Sequence, residues 1–310
     1  MIANEIIEKY TLCEPIAYGD FEIYPIVSPL AVSLMSLKEA ESLGTAWIQE
    51  RKVETVSTLE AINNGSIGVL IPFLTQIQGG KQDRTVFEPI ILPTNRTEQN
   101  PLPIPTRCLE QHRWGYRDSP GRRVSRRFES SPTRAAGQMA HAFMEEQGQK
   151  EVWGQVQAAY AVPEMRMYHS PTVSLVSMSR MMHERSKEMI DLEGSLAGGL
   201  DLDGQVGIAI TFRGHILGLE IYGGSNLWKY YARESLRGFL FDRFILGSTT
   251  PNKHEDIRLQ LVDEFYQFNF KEQDATGDGN LYHISNEDWQ GMCLIENDIP
   301  AHFYAVKRQQ

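Results

Sequence analysis

The stretch GGKQDRTVFEPIILPTNRTEQNPLPIPTRCLEQHRW, residues 79–114, gathers side chains that could do chemistry at both of its ends. Gly79 and Gly80 precede Lys81, Gln82 and Arg84, and the segment closes on Cys108, Glu110, Arg113 and Trp114. Two cations beside a glycine pair suit phosphate oxygens: the absent side chains let the backbone approach, and the cations supply charge and directed donors. Gln82 could hydrogen-bond a ribose or a base, and Trp114 could stack on a ring. Glu110 is the candidate general base, positioned by Arg113. The competing reading is structural: Glu110, Arg113, Lys81 and Arg84 satisfy one another as an ion-pair cluster that fixes the strands.

Strand alternation sharpens the question. Ile104, Thr106, Cys108 and Glu110 would share one face of an extended segment, so Glu110 ends a largely apolar row. A carboxylate there needs a cation or a proton. Arg113 stands three residues on, and an antiparallel return would bring Lys81 or Arg84 close as well. Cys108 reads as core packing, with no histidine beside it on the same strand face.

The elements that must position these groups are mostly strands from Phe21 to about Leu109: short β-branched and aromatic runs punctuated by Gly, Pro and Asn. A short helix is expected within 37–50. Residues 115–134, GYRDSPGRRVSRRFESSPTR, hold no apolar period and read as a long exposed loop. Helical spacing follows over 135–161 and 172–192, then a hairpin turning at Arg213 and Gly214. A helix capped at Ser225 and Asn226 runs to about Leu246, another covers Glu255 to Phe270, and strands close the chain. The class is α+β: a β-rich portion over 1–114, an Arg-rich loop over 115–134 and a helix-rich portion over 135–310, packed as one large domain.

GGKQDR at 79–84, IPTRCLEQHRW at 104–114 and QKEVW at 149–153 together resemble the ADP-ribosylglycohydrolase and rhodanese/phosphatase-associated domain family, in order and spacing over most of the chain. Asp83 stands where that family has Asn, Leu109 where it has Val, and Gln76 where an acid is expected. The resemblance implies a ligand related to NAD, ADP-ribose or a modified nucleic acid, by association with enzymes that remove ADP-ribose rather than by mechanism. It also adds Gln149 and Trp153 to the candidate ligand-binding residues.

Charge is unevenly spread. The chain carries a formal −10, which argues against wholesale binding to nucleic acid or membrane surfaces. Between 107 and 134, however, eight arginines face three acids, with Trp114, Tyr116 and Phe128 interleaved. Arg122, Arg123, Arg126 and Arg127 could therefore hold a polynucleotide, or the loop could meet an acidic patch on this protein or on a second copy in a homo-oligomer. Three scattered cysteines without a C-x-x-C pair suit a reducing cytoplasm, and the N-terminus lacks signal-peptide character. No stretch approaches about 20 apolar residues, so no membrane role is expected. The histidines show no metal-ligand spacing, DATGDGNLYHIS ends on Ser285 where a calcium loop needs an acid, and no cofactor is named by any motif.

Overall fold

The computed structural model describes residues 6–115, 126–135, 140, 142, 148–246 and 257–308. The first 32 residues carry β1 (Thr11–Leu12), β2 (Ile16–Tyr18) and β3 (Phe21–Val27). Next come β4 (Met35–Ser36), α1 (Leu37–Ser42), β5 (Ala46–Gln49), β6 (Thr58–Asn63), β7 (Val69–Ile71), β8 (Thr75–Gly79), β9 (Arg84–Val86), β10 (Ile90–Leu92), β11 (Leu102–Cys108) and β12 (Phe128–Arg134). Helices α2 (Gly148–Ala161), α3 (Leu175–Arg185) and α4 (Lys187–Leu196) precede the hairpin β13 (Gln205–Phe212) and β14 (His215–Tyr222). The chain finishes with α5 (Ser225–Leu246), α6 (Ile257–Tyr266), β15 (Asn269–Gln273), β16 (Asn280–Ser285), β17 (Trp289–Glu296) and β18 (Ile299–Lys307). The class is α+β, with its strands concentrated early and its helices late.

Two compact units result. One combines Met1–Val32, Lys187–Ala275 and Gly279–Gln310, and the other Ser33–Ser186 with Thr276–Asp278. The first is a nine-stranded antiparallel sheet in the order β1-β3-β13-β14-β18-β17-β16-β15, with β2 also on β3. Alternation gives it two buried faces. On one, Tyr222 stacks on Tyr231 of α5, and Glu220 meets His302 (2.7 Å) and the Tyr222 hydroxyl (2.8 Å). On the other, Phe303 packs against Phe265 of α6. The β13–β14 turn falls at Arg213 and Gly214, both at positive φ, as a two-residue hairpin requires.

The second unit holds the residues of the opening stretch. Its six-stranded sheet runs β12-β8-β9-β11-β6-β5. A bridge between Gln49 and Arg127 and a hydrogen bond from Glu50 N to Arg126 O (2.8 Å) join the two outer strands, so the sheet closes into a small barrel. Register sets which side chains point inward: Ile104 opposes Leu59, Thr106 opposes Val86, Cys108 opposes Arg84, and Ile77 opposes Arg84 from the other side. Ile48, Leu59, Ala61, Ile77, Val86, Ile104 and Phe128 form the apolar lumen, at least nine-tenths buried throughout. Because alternation continues past the apolar part, Arg84, Thr106, Cys108 and Glu50 occupy the same inner face towards one end.

Four expectations need correction. The segment 115–134 is not all loop: Phe128–Arg134 is a strand on β8, with the Ser131 and Thr133 hydroxyls 2.9 Å apart and Thr133 Oγ1 donating to Gln76 Oε1 (2.8 Å). Those polar pairs and Pro132 hide the alternation. The helix within 37–50 stops at Ser42, and 46–49 is a strand, with Gly44 at positive φ between them. The run 172–192 is two helices that break at Ser186, whose backbone is extended. The last helix ends at Tyr266, and 269–273 pairs as β15.

Candidate functional site

Outside the barrel, Glu110 is the hub of a saturated polar cluster. It follows β11 directly, is wholly buried, and accepts from Arg113 Nε (2.9 Å), Arg113 Nη2 (2.6 Å), Asp83 N (2.9 Å) and the Thr172 hydroxyl. The remaining Arg113 donors reach Gly80 O and Gly115 O (both 2.8 Å), Gly79 O (3.3 Å) and Asp83 Oδ1 (3.3 Å). Asp83 in turn accepts from Ser174 Oγ (2.7 Å), whose side chain also caps α3 by accepting from Ser177 N. One ion pair thus ties together the turn before β9, the loop after β11 and the start of α3.

This environment decides the protonation of Glu110. Burial pushes its pKa up, but hydrogen bonds from Arg113, Thr172 and the Asp83 N–H, together with the Arg113 charge, outweigh burial and hold it below the usual carboxylate range. A carboxylate so held is a weak base. Its cation is Arg113; Lys81 pairs instead with Glu54 (2.6 Å), and Arg84 lies on the inner face.

Inside the barrel the pattern reverses. Arg84 is wholly buried, and among the described residues only its Nη1 is hydrogen-bonded, to Gln82 Oε1 (3.2 Å) and Cys108 Sγ (3.7 Å). Among the described residues its Nε and Nη2 meet no hydrogen-bond partner. Those two atoms form the side-on edge of a guanidinium, the edge that grips planar or tetrahedral acceptors in a fork. Gln82 holds the group by its other end, since its Nε2 donates to Glu110 O (2.8 Å). Burial above all pushes the Arg84 pKa down; the nearby Glu50 and Asp83 carboxylates oppose that shift, Arg113 adds to it, and the guanidinium stays charged.

Glu50, one residue past β5, is the counterpart. It too is wholly buried; Oε1 accepts from Lys81 N (2.8 Å), while Oε2 has no hydrogen-bond partner among the described residues. The Thr106 hydroxyl, on the same face, is likewise buried without one. The glycine pair is shaped by this packing. Gly79 and Gly80 stand at φ +129° and +45°, and a Cβ on Gly80 would lie 2.5 Å from Glu50 Oε1. Only glycine fits there, and the close approach is made by the protein's own side chains, the Phe128 ring and the Glu50 carboxylate.

The covering residue is Trp114. Half-exposed, its ring lies 5.8 Å from the Arg84 guanidinium and 5.3 Å from Lys81 Nζ. Gln149 clamps the backbone of Cys108 at both ends, N to Oε1 (2.8 Å) and Nε2 to O (3.0 Å), which fastens α2 to β11. Trp153, one turn on, is more than a third exposed and accepts from Gln111 through its carbonyl. Burial pushes the Cys108 thiol up, against opposing effects of Arg84 and the Glu110 carbonyl, so it behaves as a packed thiol rather than a thiolate. Of the four candidate nucleic-acid residues, Arg126 donates to Glu50 O (2.6 Å) and Arg127 stacks on Trp47 (3.9 Å), while Arg122 and Arg123 lie outside the described residues.

Sequence reasoning singled out Glu110, Arg113, Gln82 and Arg84 but missed Glu50, Thr106, Thr172 and Ser174. Glu50 was within reach: Ala46, Ile48 and Glu50 alternate in AWIQE just as Ile104, Cys108 and Glu110 do. Among the described residues no group of three or more His, Cys, Asp or Glu could hold a metal ion, and no helix is long and apolar enough to cross a membrane.

The family model described as the ARG and Rhodanese-Phosphatase-superfamily-associated Protein domain matches residues 9–306, nearly the whole chain. No curated protein and no solved structure gave a match.

Proposed function

The chain belongs to the ARG and Rhodanese-Phosphatase-superfamily-associated Protein domain family, and we propose that it binds a phosphorylated, nucleotide-derived small molecule of the NAD or ADP-ribose type at the mouth of the barrel. The observation that carries this reading is Arg84: a wholly buried guanidinium whose forked edge has no hydrogen-bond partner among the described residues. A folded chain does not normally leave two such donors unmet, because desolvating them costs about 1–3 kcal/mol or more. A ligand group that accepts from both relieves the cost.

The surroundings suit such a ligand. The Trp114 ring, half-exposed above Arg84, offers a stacking face, and Lys81 beside it at the rim, now paired with Glu54 (2.6 Å), could exchange that carboxylate for a phosphate. Glu110 and Arg113 serve as positioning residues in this account. They hold the loop bearing Trp114 and, through Gln82, the orientation of Arg84. Binding rather than proton transfer is the role their geometry favours, since Glu110 is held below the carboxylate range and already accepts from four donors.

Calorimetric titration of ADP-ribose and adenosine monophosphate into the purified chain tests the reading. We expect saturable binding that falls about 30-fold or more in Arg84→Met, the worth of a charged two-donor contact. Absence of binding by either compound, or equal affinity in the variant, would remove the proposal.

A further inference from the structure

The Arg84 edge has company that a phosphate would not choose. We infer that the ligand group entering between Arg84 and Glu50 is a neutral edge carrying an acceptor beside a donor, namely a primary carboxamide or the amide or amidine edge of a nucleobase, and that the phosphate stays outside at Lys81. The inference rests on the reading of this mouth as a nucleotide-type site and specifies which end of the ligand goes in.

Four buried atoms on three side chains carry it. Arg84 offers two parallel donors from Nε and Nη2, Glu50 offers an acceptor at Oε2, and Thr106 adds a hydroxyl that can do either. All three side chains are wholly buried on the inner face of one small barrel. Glu50 and Arg84 lie at the same end of it. Glu50 packs against Gly80 and bonds Lys81 N, just before β9, while Arg84 begins that strand. What complements donors on one side and a carboxylate oxygen on the other is an acceptor with an adjacent N–H. A carboxamide places the two about one bond angle apart, as do the ring edges of adenine and hypoxanthine. A phosphate dianion presents acceptors alone, and in this lumen it would face the Glu50 carboxylate without water between them.

Access follows from the covering residue. The Trp114 ring lies 5.8 Å from the guanidinium and is itself half-exposed. A planar group could pass when the indole swings aside and then stack beneath it. An ordered water bridging Arg84 and Glu50 is the competing occupant, since it too accepts and donates.

The test uses four probes by calorimetry on the full chain: adenosine, nicotinamide, ribose 5-phosphate and inorganic pyrophosphate. We expect adenosine or nicotinamide to bind and to compete with ADP-ribose, while the two phosphate probes bind at least about 10-fold more weakly. Glu50→Gln should weaken the neutral probe about 10-fold by replacing a charged acceptor with a neutral one. The competition between probes needs no variant, so it stands even if Glu50→Gln does not fold. Tighter binding of ribose 5-phosphate or pyrophosphate in Glu50→Gln, lost in Arg84→Met, overturns the inference and leaves the nucleotide-site reading in place. If ADP-ribose binds but neither neutral probe does, or if the neutral probes ignore both substitutions, the inference fails and the lumen belongs to water. If no compound binds at all, both readings fall together.

Discussion

The two polar clusters of the barrel unit are built from the same residue types and are opposites in one respect. Around Glu110 and Arg113 the principal donors and acceptors meet within the chain. Around Arg84, Glu50 and Thr106, a few residues away and just as buried, four polar atoms are left over among the described residues. The contrast separates what holds the fold from what is available to a ligand. A charged pair is not a site because it is buried and unusual; it becomes a candidate when its hydrogen-bonding capacity exceeds what its own chain uses.

The largest expected effect comes from breaking the saturated cluster. Arg113→Met leaves Glu110 buried without its cation and strips donors from three backbone carbonyls, so we expect unfolding in urea to show a loss of about 3–5 kcal/mol. The same experiment on the double substitution Arg84→Met with Glu50→Gln should show a change within about 1–2 kcal/mol, of either sign, because two incompletely satisfied charges leave together. Similar losses in both clusters would erase the distinction drawn between them.

Acid sharpens the comparison. Glu110 is held below the usual range, so its stabilising contribution is full above the unfolded value of about 4.3 and is lost as pH falls through the lower folded value. Stability followed from pH 5 to pH 2 should therefore drop, and Glu110→Gln should flatten that drop. Glu41, on α1, behaves in the opposite sense. Burial above all raises its pKa to about 7, so between about pH 4.5 and 7 the folded chain binds the extra proton and stability falls as pH rises. Glu41→Gln should flatten that slope, leaving the share of Glu88, whose pKa burial also raises, and should leave the acid limb intact. A smaller effect is expected at the clamp on β11: Gln149→Ala removes both bonds to Cys108 and should cost about 1–2 kcal/mol without changing the affinity for ADP-ribose by more than about 3-fold.

Much of the saturated cluster was legible in the sequence. A carboxylate ending the apolar row Ile104, Thr106, Cys108 demanded a partner, and Arg113 lay within a short turn of it. The β13–β14 hairpin and the helix from Ser225 were legible for the same reason: turn chemistry and periodicity are local. The open cluster was not, because it depends on barrel closure, a contact between β5 and β12 that are far apart in the chain. The strand Phe128–Arg134 that makes this closure hides behind Ser, Thr and Pro; Thr133, for one, turns inward and donates across to Gln76 on β8 instead of facing solvent. Likewise, nothing near Lys81 in the sequence announces Glu54 as its partner or Glu50 as the acceptor of its backbone N–H.

The most direct test of the account is a single pair of titrations, ADP-ribose into the wild-type chain and into Arg84→Met, each variant first checked for a cooperative melt. The account predicts saturable binding in the first and a loss of about 30-fold or more in the second, with the melt little changed. Equal binding in both would contradict it: the unmet edge of Arg84 would then be a buried defect that the fold tolerates, and the ligand, if any, would sit elsewhere.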